Sequence, residues 1–307
     1  MAFLYALPGA VAEGLIWGLM AIGVYISYKI LDIADLTVDG SICTGACVCA
    51  VLLGLGVPVW VCVPVAFATG ALAGTVTGLL HTLLGIPSIL AGILTQLMLY
   101  SVNLVILGGK SLMAVDHRAN VLMVHMSNNP MAIVAMIAMV AVTIIVLWQF
   151  FYTEVGLTLK STGDNPDMSR AQGVDVNRNK VIGLAIANGI VAMAGAMLAQ
   201  YKGSANINDG RGAIVIALAA IFIGLSVSLK IKPNFVVSLI GVVSGGVVYY
   251  IVYNFVILLG LKTDYLKMLS AVIVALFLGV PYMKAEYFTK QKTPQPNAKR
   301  SGGKADA

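Results

Sequence analysis

Long, almost uncharged runs of apolar residues recur along most of this sequence, and they constrain its fold more than any other feature. A helix of about 20 residues crosses the ~30 Å hydrocarbon core of a membrane. Of the 307 residues, 59% are hydrophobic and 10% are charged, whereas soluble domains contain about 45–50% apolar and about 25% charged residues. The sequence therefore predicts an all-α, polytopic membrane protein.

Nine segments are long and apolar enough to span the membrane, with eight and ten as alternative counts. They are 10–30, 38–55, 58–80, 86–107, 131–152, 180–200, 212–229, 234–254 and 267–284. We predict one transmembrane domain over residues 1–287 and a disordered basic tail over 288–307. Little of the chain remains for a soluble catalytic domain, which usually needs about 50–200 residues.

The distribution of positive charge predicts the orientation of the chain. Its formal charge is +6, and much of the excess lies in the tail. If the tail is cytoplasmic, thirteen Lys and Arg residues lie on the cytoplasmic side and six on the outer side, as the positive-inside rule requires. The tail is then expected to meet anionic membrane lipid, and we expect no nucleic-acid partner.

The loop between the fifth and sixth spans, 154–180, carries signals for a short helix. Asn165 is a good N-cap, Pro166 suits the first helical position, and Gly173 can adopt the left-handed conformation that ends a helix. These signals predict a helix over residues 166–172. It is either a solvated connector or a pre-organised element that fits a groove on a soluble partner.

Polar side chains on the fourth span are candidates for lining a solute pathway. Gln96, Tyr100 and Asn103 follow i, i+4, i+7 spacing and so share one helical face. Polar amides within a membrane must face protein or water. Both pathway lining and hydrogen bonding between helices fit this pattern, and the same two interpretations apply to Asn188 in the sixth span.

Two small-residue segments suggest an internal repeat. Asp39-Gly40 opens the second span and Asp209-Gly210 precedes the seventh. Paired glycine-interrupted segments are typical of transporter repeats, although two dipeptides also arise by coincidence. If the repeat is real, a pathway would lie between the two halves. Separately, the second span is expected to be short, broken or partly re-entrant.

A second small-residue pattern concerns packing. Gly70, Gly74 and Gly78 recur at every fourth position of the third span. Such spacing predicts a helix face that lets a neighbouring helix approach closely in lipid.

Other motifs are informative because they fail. Gly108-Gly109-Lys110-Ser111 imitates the end of a phosphate-binding loop, but the pattern requires glycine where Leu104 stands. No catalytic or metal-binding spacing is found, so we expect no cofactor in this chain.

No Asp, Glu, Lys or Arg lies at the centre of a span, and Glu13 and Asp39 lie near span ends. The scarcity of intramembrane carboxylates disfavours an ion-coupled secondary carrier.

Several stretches resemble one known family. The loop sequence is GDNPDMSRAQGVDVNRNK, and three further stretches are GLIWGLMAIGVYISYKILDIADLTVDGS, GIPSILAGILTQLMLYSVNL and NDGRGAIVIALAAIFIG. They resemble bacterial ABC importer permeases of the branched-chain amino acid and ribose group, and within it the permeases of tryptophan/tyrosine-type importers. The resemblance extends to about Tyr282. The cysteine-rich second segment departs from it, because relatives tend to have Ala, Gly or Leu there.

The resemblance implies a multi-pass protein of the bacterial cytoplasmic membrane. It implies a second permease copy, two cytoplasmic ATPase subunits that bind ATP and Mg, and an external binding protein or lipoprotein. The helix that docks into the ATPase would be formed by Asn165, Pro166, Asp167, Met168, Arg170, Ala171 and Gly173. The expected solute is an amino acid, with the aromatic ones included, and the alternative solutes are a sugar or a nucleoside. The alternative mechanism is that of an ATP-independent carrier or facilitator.

Overall fold

The computed structural model describes residues 2–115, 124, 129–228 and 234–258, and the separate positions 268, 271, 272, 275 and 279. Most of these residues are helical. The helices are α1 Ala2–Tyr25, α2 Val38–Gly54, α3 Val59–Thr82, α4 Ser88–Ile106, α5 Asn129–Phe151, α6 Glu154–Asp164, α7 Pro166–Ala171, α8 Val176–Lys202, α9 Ala213–Ser228 and α10 Phe235–Leu258. Two short antiparallel strands, β1 Leu112–Ala114 and β2 Ser204–Asn206, pair with Met113 opposite Ala205.

The first eight predicted spans coincide with apolar helices. Six helices of the described residues are long and apolar enough to cross a membrane: Ala6–Ile30, Val59–Thr82, Ser88–Ile106, Pro130–Phe151, Val176–Lys202 and Phe235–Ile257. Two shorter apolar helices are Val38–Gly54 and Ala213–Ser226. The ninth predicted span, 267–284, is described only at the five separate positions, and the tail over 288–307 lies outside the described residues.

The chain turns back into the helix bundle after α1. A π-helical turn, Ile26–Ile30, continues α1, and Asp32 has a positive φ of 55°, alone among the non-glycine residues described. The backbone then runs without regular structure to Thr37, which precedes α2. Since Asp35 and Thr37 are both buried, the short helix α2 begins inside the protein.

Close packing along α3 follows the predicted glycine pattern. Gly70, Gly74 and Gly78 all face α8, and a Cβ added at any of them would overlap the α8 backbone between Val181 and Asn188. The contact between α3 and α8 is the most extensive helix contact in the described part of the chain. The small residues therefore bring these two helices together.

A second helix pair repeats this arrangement. The contact of α1 with α10 is the next most extensive, and Gly14 and Gly18 of α1 face Val247 and Val243 of α10. In each pair, a long helix that precedes one of the two shorter apolar helices, α2 or α9, packs against another long helix.

Candidate functional site

A buried carboxylate stands at the start of α2. Asp35 is 2% exposed, and its two oxygens accept hydrogen bonds from the Thr37 backbone N–H (2.9 Å) and from Asn188 Nδ2 (2.6 Å). Asn188 lies twelve residues into α8, about 18 Å along its axis. Its Oδ1 accepts a hydrogen bond from Ser41 Oγ at 2.6 Å. The network therefore joins α2 to α8 deep within the bundle.

Three hydroxyl groups extend this network to two further helices. Thr37 Oγ1 lies 2.7 Å from Thr77 Oγ1 of α3, which in turn donates to Thr95 Oγ1 of α4 at 2.9 Å. All three threonines are buried. Because each group has a partner, the polar cluster holds the helices in one arrangement at little cost in unsatisfied bonds.

The first turns of α2 and α9 meet inside the protein. Asp39 Oδ2 accepts from the Gly212 N–H and Oδ1 from the Ile214 N–H, both at 2.9 Å. Gly210 lies against the Asp39 carbonyl, and its N–H donates to Cys43 Sγ at 3.0 Å. The Asp39 carboxylate thus caps the positive end of α9, and the two Asp-Gly dipeptides of the sequence are neighbours in space.

These positions correct one expectation. The sequence put Asp39 near a span end, and Asp39 does lie in the first turn of α2. The inference that intramembrane carboxylates are scarce is weakened, however, because Asp35 is buried and Asp39 bonds to α9 within the bundle. The sequence reasoning missed this because a residue near a helix end can still be enclosed by neighbouring helices, as the bonds of Asp35 to α8 and of Asp39 to α9 show. The absence of interior carboxylates therefore cannot be used against ion coupling, although protein donors already occupy all four carboxylate oxygens.

A cavity of about 390 Å³ adjoins this meeting point. It is lined by Asp39, Gly40, Cys43, Gln96, Leu97, Tyr100, Asn103, Ile207 and Arg211. The three polar residues predicted to share a face of α4 therefore all line one cavity. Asn188 does not; it belongs to the Asp35 network, which corresponds to the hydrogen-bonding interpretation of that residue. Neither Arg211 nor Asp39 was selected as pathway lining from the sequence.

The loop over 154–180 forms two helices at one end of the bundle. The first, α6, was not predicted, although Thr153 caps it by accepting from the Gly156 N–H at 3.3 Å. Gly163 of α6 packs against the Ile30 carbonyl. Asn179 Nδ2 of α8 donates to Thr162 Oγ1 at 3.0 Å. These contacts fix α6 to the ends of α1 and α8.

The second helix, α7, matches its predicted signals. Asn165 Oδ1 accepts from the Met168 N–H at 3.0 Å, and Gly173 adopts the left-handed conformation with φ of 82°. The helix ends at Ala171, one residue before the predicted end, because Gln172 is its C-cap. The short capped helix is therefore confirmed.

Most of α7 projects from the protein. Ser169 is buried and its hydroxyl donates to Ser161 Oγ of α6 at 3.2 Å. Asp167 and Arg170 form an ion pair at 3.2 Å with side chains that are 92% and 57% exposed, and Met168 is 58% exposed. One side of α7 is attached to α6, whereas the other exposes apolar and charged side chains.

Basic residues lie in two separate places, one beside α6 and the other beside β2. Lys29 and Lys160 line a common cavity with Asn234 beside α6. Lys202 and Arg211 flank β2 at the other end, where Lys202 pairs with Asp209 at 3.9 Å.

Long apolar helices packed around two shorter apolar helices, whose first turns meet, define a polytopic membrane protein. Residues 9–280 match the family described as "Branched-chain amino acid transport system / permease component", and the chain belongs to this family. It is a multi-pass protein of the bacterial inner membrane and the permease component of a branched-chain amino acid or sugar-type ABC transport system.

Relatives support this assignment. The chain is 35% identical over 268 residues to the "Tyrosine transport system permease protein" of Clostridioides difficile (strain R20291), covering 87% of this chain and 88% of the relative. It is 25% identical over 252 residues to the ribose import permease protein of Escherichia coli (strain K12), covering 81% and 77%. No solved structure matches the chain.

Proposed function

We propose that this chain forms the solute pathway of an ATP-driven importer and that its solute is an amino acid, with aromatic amino acids the first to test. The observation that carries the proposal is α7, whose Asn165 cap and Gly173 terminator pre-organise a helix that stands exposed beside α6 and the start of α8. A helix prepared in this way loses little entropy when it docks. The amino-acid assignment is supported by the likeness to a tyrosine transport permease.

The proposal assigns a direction and a set of partners. The end that carries α6 and α7 is cytoplasmic, and α7 docks into one of two ATPase subunits, which bind the ATP and Mg that this chain does not. A second copy of the permease completes a homodimer, and an external binding protein or lipoprotein delivers the solute to the opposite end. The single transmembrane domain has nine crossings and two repeated halves, and the basic tail is cytoplasmic.

The pathway is proposed to pass the cavity beside Asp39. Gln96, Tyr100 and Asn103 line it from α4, and two short helices begin next to it. Helix ends that lie within the interior of a membrane protein are a recurrent feature of transporter sites. Relative movement of the two halves would open the cavity to alternate sides.

Reconstituted transport tests the mechanism. Proteoliposomes that contain the permease, its ATPase and its binding protein should accumulate labelled tyrosine when ATP is supplied inside. Proteoliposomes with the permease alone should not. Gradient-driven uptake by the permease alone would instead establish the carrier alternative, and ATP-driven uptake of ribose or a nucleoside without amino-acid uptake would overturn the solute assignment.

Substitutions on α7 test the docking role. Asp167→Ala and Arg170→Ala should reduce recovery of the ATPase with the affinity-tagged permease, because they remove the exposed charges of α7. Lys29→Ala is a matched control, since Lys29 is exposed at the same end but outside α7. Equal ATPase recovery with all three variants would contradict the docking role.

A further inference from the structure

The cavity beside Asp39 contains a positive charge that the described part of the chain does not neutralise. Arg211 lines the cavity and has no acidic partner within 4.0 Å among the described residues. The nearby Asp209 pairs with Lys202 at 3.9 Å. The guanidinium group is therefore available to an anionic ligand, and guanidinium matches the geometry of a carboxylate.

An unused hydrogen-bond acceptor lies in the same wall. Asn103 is 1% exposed, and its Oδ1 is buried without a hydrogen-bond partner among the described residues. Buried polar atoms nearly always have a partner, and exceptions call for an explanation. Because Asn103 lines the cavity, a ligand that carries N–H groups would supply the missing donor.

A negative group completes the set. Asp39 also lines the cavity, and its oxygens accept hydrogen bonds from the backbone at the start of α9. A carboxylate has about four lone-pair sites in all. Acceptors for an ammonium group are thus present beside a guanidinium group for a carboxylate.

We propose that this cavity is a zwitterion-selective site, in which Arg211 binds the carboxylate of an α-amino acid while Asn103 and Asp39 accept from its ammonium group. The inference rests on the proposed function and deepens it, because it makes the permease itself selective rather than leaving selection to the binding protein. A volume of about 390 Å³ suits a small solute. A neutral sugar would leave Arg211 without a counter-charge, and an amine without a carboxylate would meet the guanidinium unshielded.

Direct binding without the binding protein tests the site. Labelled tyrosine should bind the purified permease–ATPase complex, and unlabelled tyrosine should compete. Tyramine, which lacks the carboxylate, 4-hydroxyphenylpropionate, which lacks the ammonium group, and ribose should each compete at least tenfold less well. Equal competition by tyramine and tyrosine would overturn the site.

Substitutions in the cavity test the zwitterion site separately from the proposed importer function. Arg211→Gln should raise the Kd for tyrosine at least tenfold, Arg211→Lys should raise it less, and Asn103→Leu should also raise it. Lys110→Gln should leave the Kd unchanged, because Lys110 is exposed and lies outside the cavity. Co-purification of the ATPase with each variant checks its fold.

The two possible failures are distinguishable. If Arg211→Gln binds and transports tyrosine with unchanged Kd and KM, the zwitterion site is wrong while the importer function stands. If the wild-type complex shows no ATP-driven uptake of any amino acid, the proposed function itself fails.

Discussion

At the scale of single residues, the contact between Asp35 and Asn188 shows how this protein keeps a carboxylate in its interior. No cation lies within 4.0 Å of Asp35 among the described residues, and its partners are a backbone N–H and an amide. Burying such a group is costly unless it is hydrogen-bonded. Asn188 satisfies Asp35 and accepts from Ser41 at the same time, so both helices depend on one amide.

Replacing Asn188 should therefore destabilise the protein. Asn188→Leu leaves Asp35 Oδ2 without its amide donor and the Ser41 hydroxyl without its acceptor, and we expect a loss of about 1–3 kcal/mol. The thermal unfolding midpoint of the detergent-purified permease measures this. Asn254→Leu is the matched control, because the Asn254 amide donates only to the carbonyl of Tyr250 in its own helix among the bonds described. Equal shifts for the two variants would contradict the role of the network.

At the scale of secondary-structure elements, α7 is held by its cap rather than by burial. Asn165→Ala removes the bond to the Met168 N–H, which should cost the helix about 1 kcal/mol. Since docking needs a formed helix, ATP hydrolysis stimulated by the liganded binding protein should fall. Asn165→Asp should restore most of the stimulation, because aspartate is an equally good N-cap. Failure of this rescue would show that the cap is not what matters.

The contact between α3 and α8 is the element-scale feature most sensitive to side-chain size. Gly74→Ala would place a methyl group against the Leu184 carbonyl, forcing the two helices apart and lowering the unfolding temperature by several degrees. Gly54→Ala should have little effect, since a Cβ there meets only the flexible end of Met113. Both are helix glycines, so the comparison isolates packing from helix propensity. Similar unfolding temperatures would mean that α3 tolerates a wider separation.

At the scale of the whole molecule, the meeting of α2 and α9 links the two halves at one point. Asp39 belongs to the first half and accepts from the backbone of the second. The cavity next to it is bounded by α4 from the first half and by the segment before α9 from the second. Movement between the halves must therefore change the shape of this cavity.

Removing polarity from the cavity should impair transport but not assembly. Gln96→Leu is expected to reduce ATP-driven uptake several-fold. A leucine side chain cannot form hydrogen bonds in place of those that a polar solute loses when it leaves water. Recovery of the ATPase complex should stay unchanged. Gln149→Leu provides a comparison, since Gln149 is an exposed glutamine of α5 that lies outside the cavity. Unchanged uptake with Gln96→Leu would assign this residue to helix packing.

The sequence alone determined the features that depend on neighbouring residues. Apolar runs predicted the first eight membrane-associated helices, because helix length and hydrophobicity are local properties. Asn165 and Gly173 predicted α7 to within one residue at its end, because a helix cap bonds within its own turn. The i, i+4, i+7 spacing likewise put Gln96, Tyr100 and Asn103 on one face.

Only the tertiary structure decided what those faces meet. Asn188 reaches Asp35 across 153 residues of chain, and Asp39 reaches Gly212 across 173. No local pattern encodes such distant pairs, since they arise when the chain after α1 turns inward and α2 and α9 start beside each other. The interior positions of Asp35 and Asp39, and the position of Arg211 beside the cavity, therefore depend on how the helices pack.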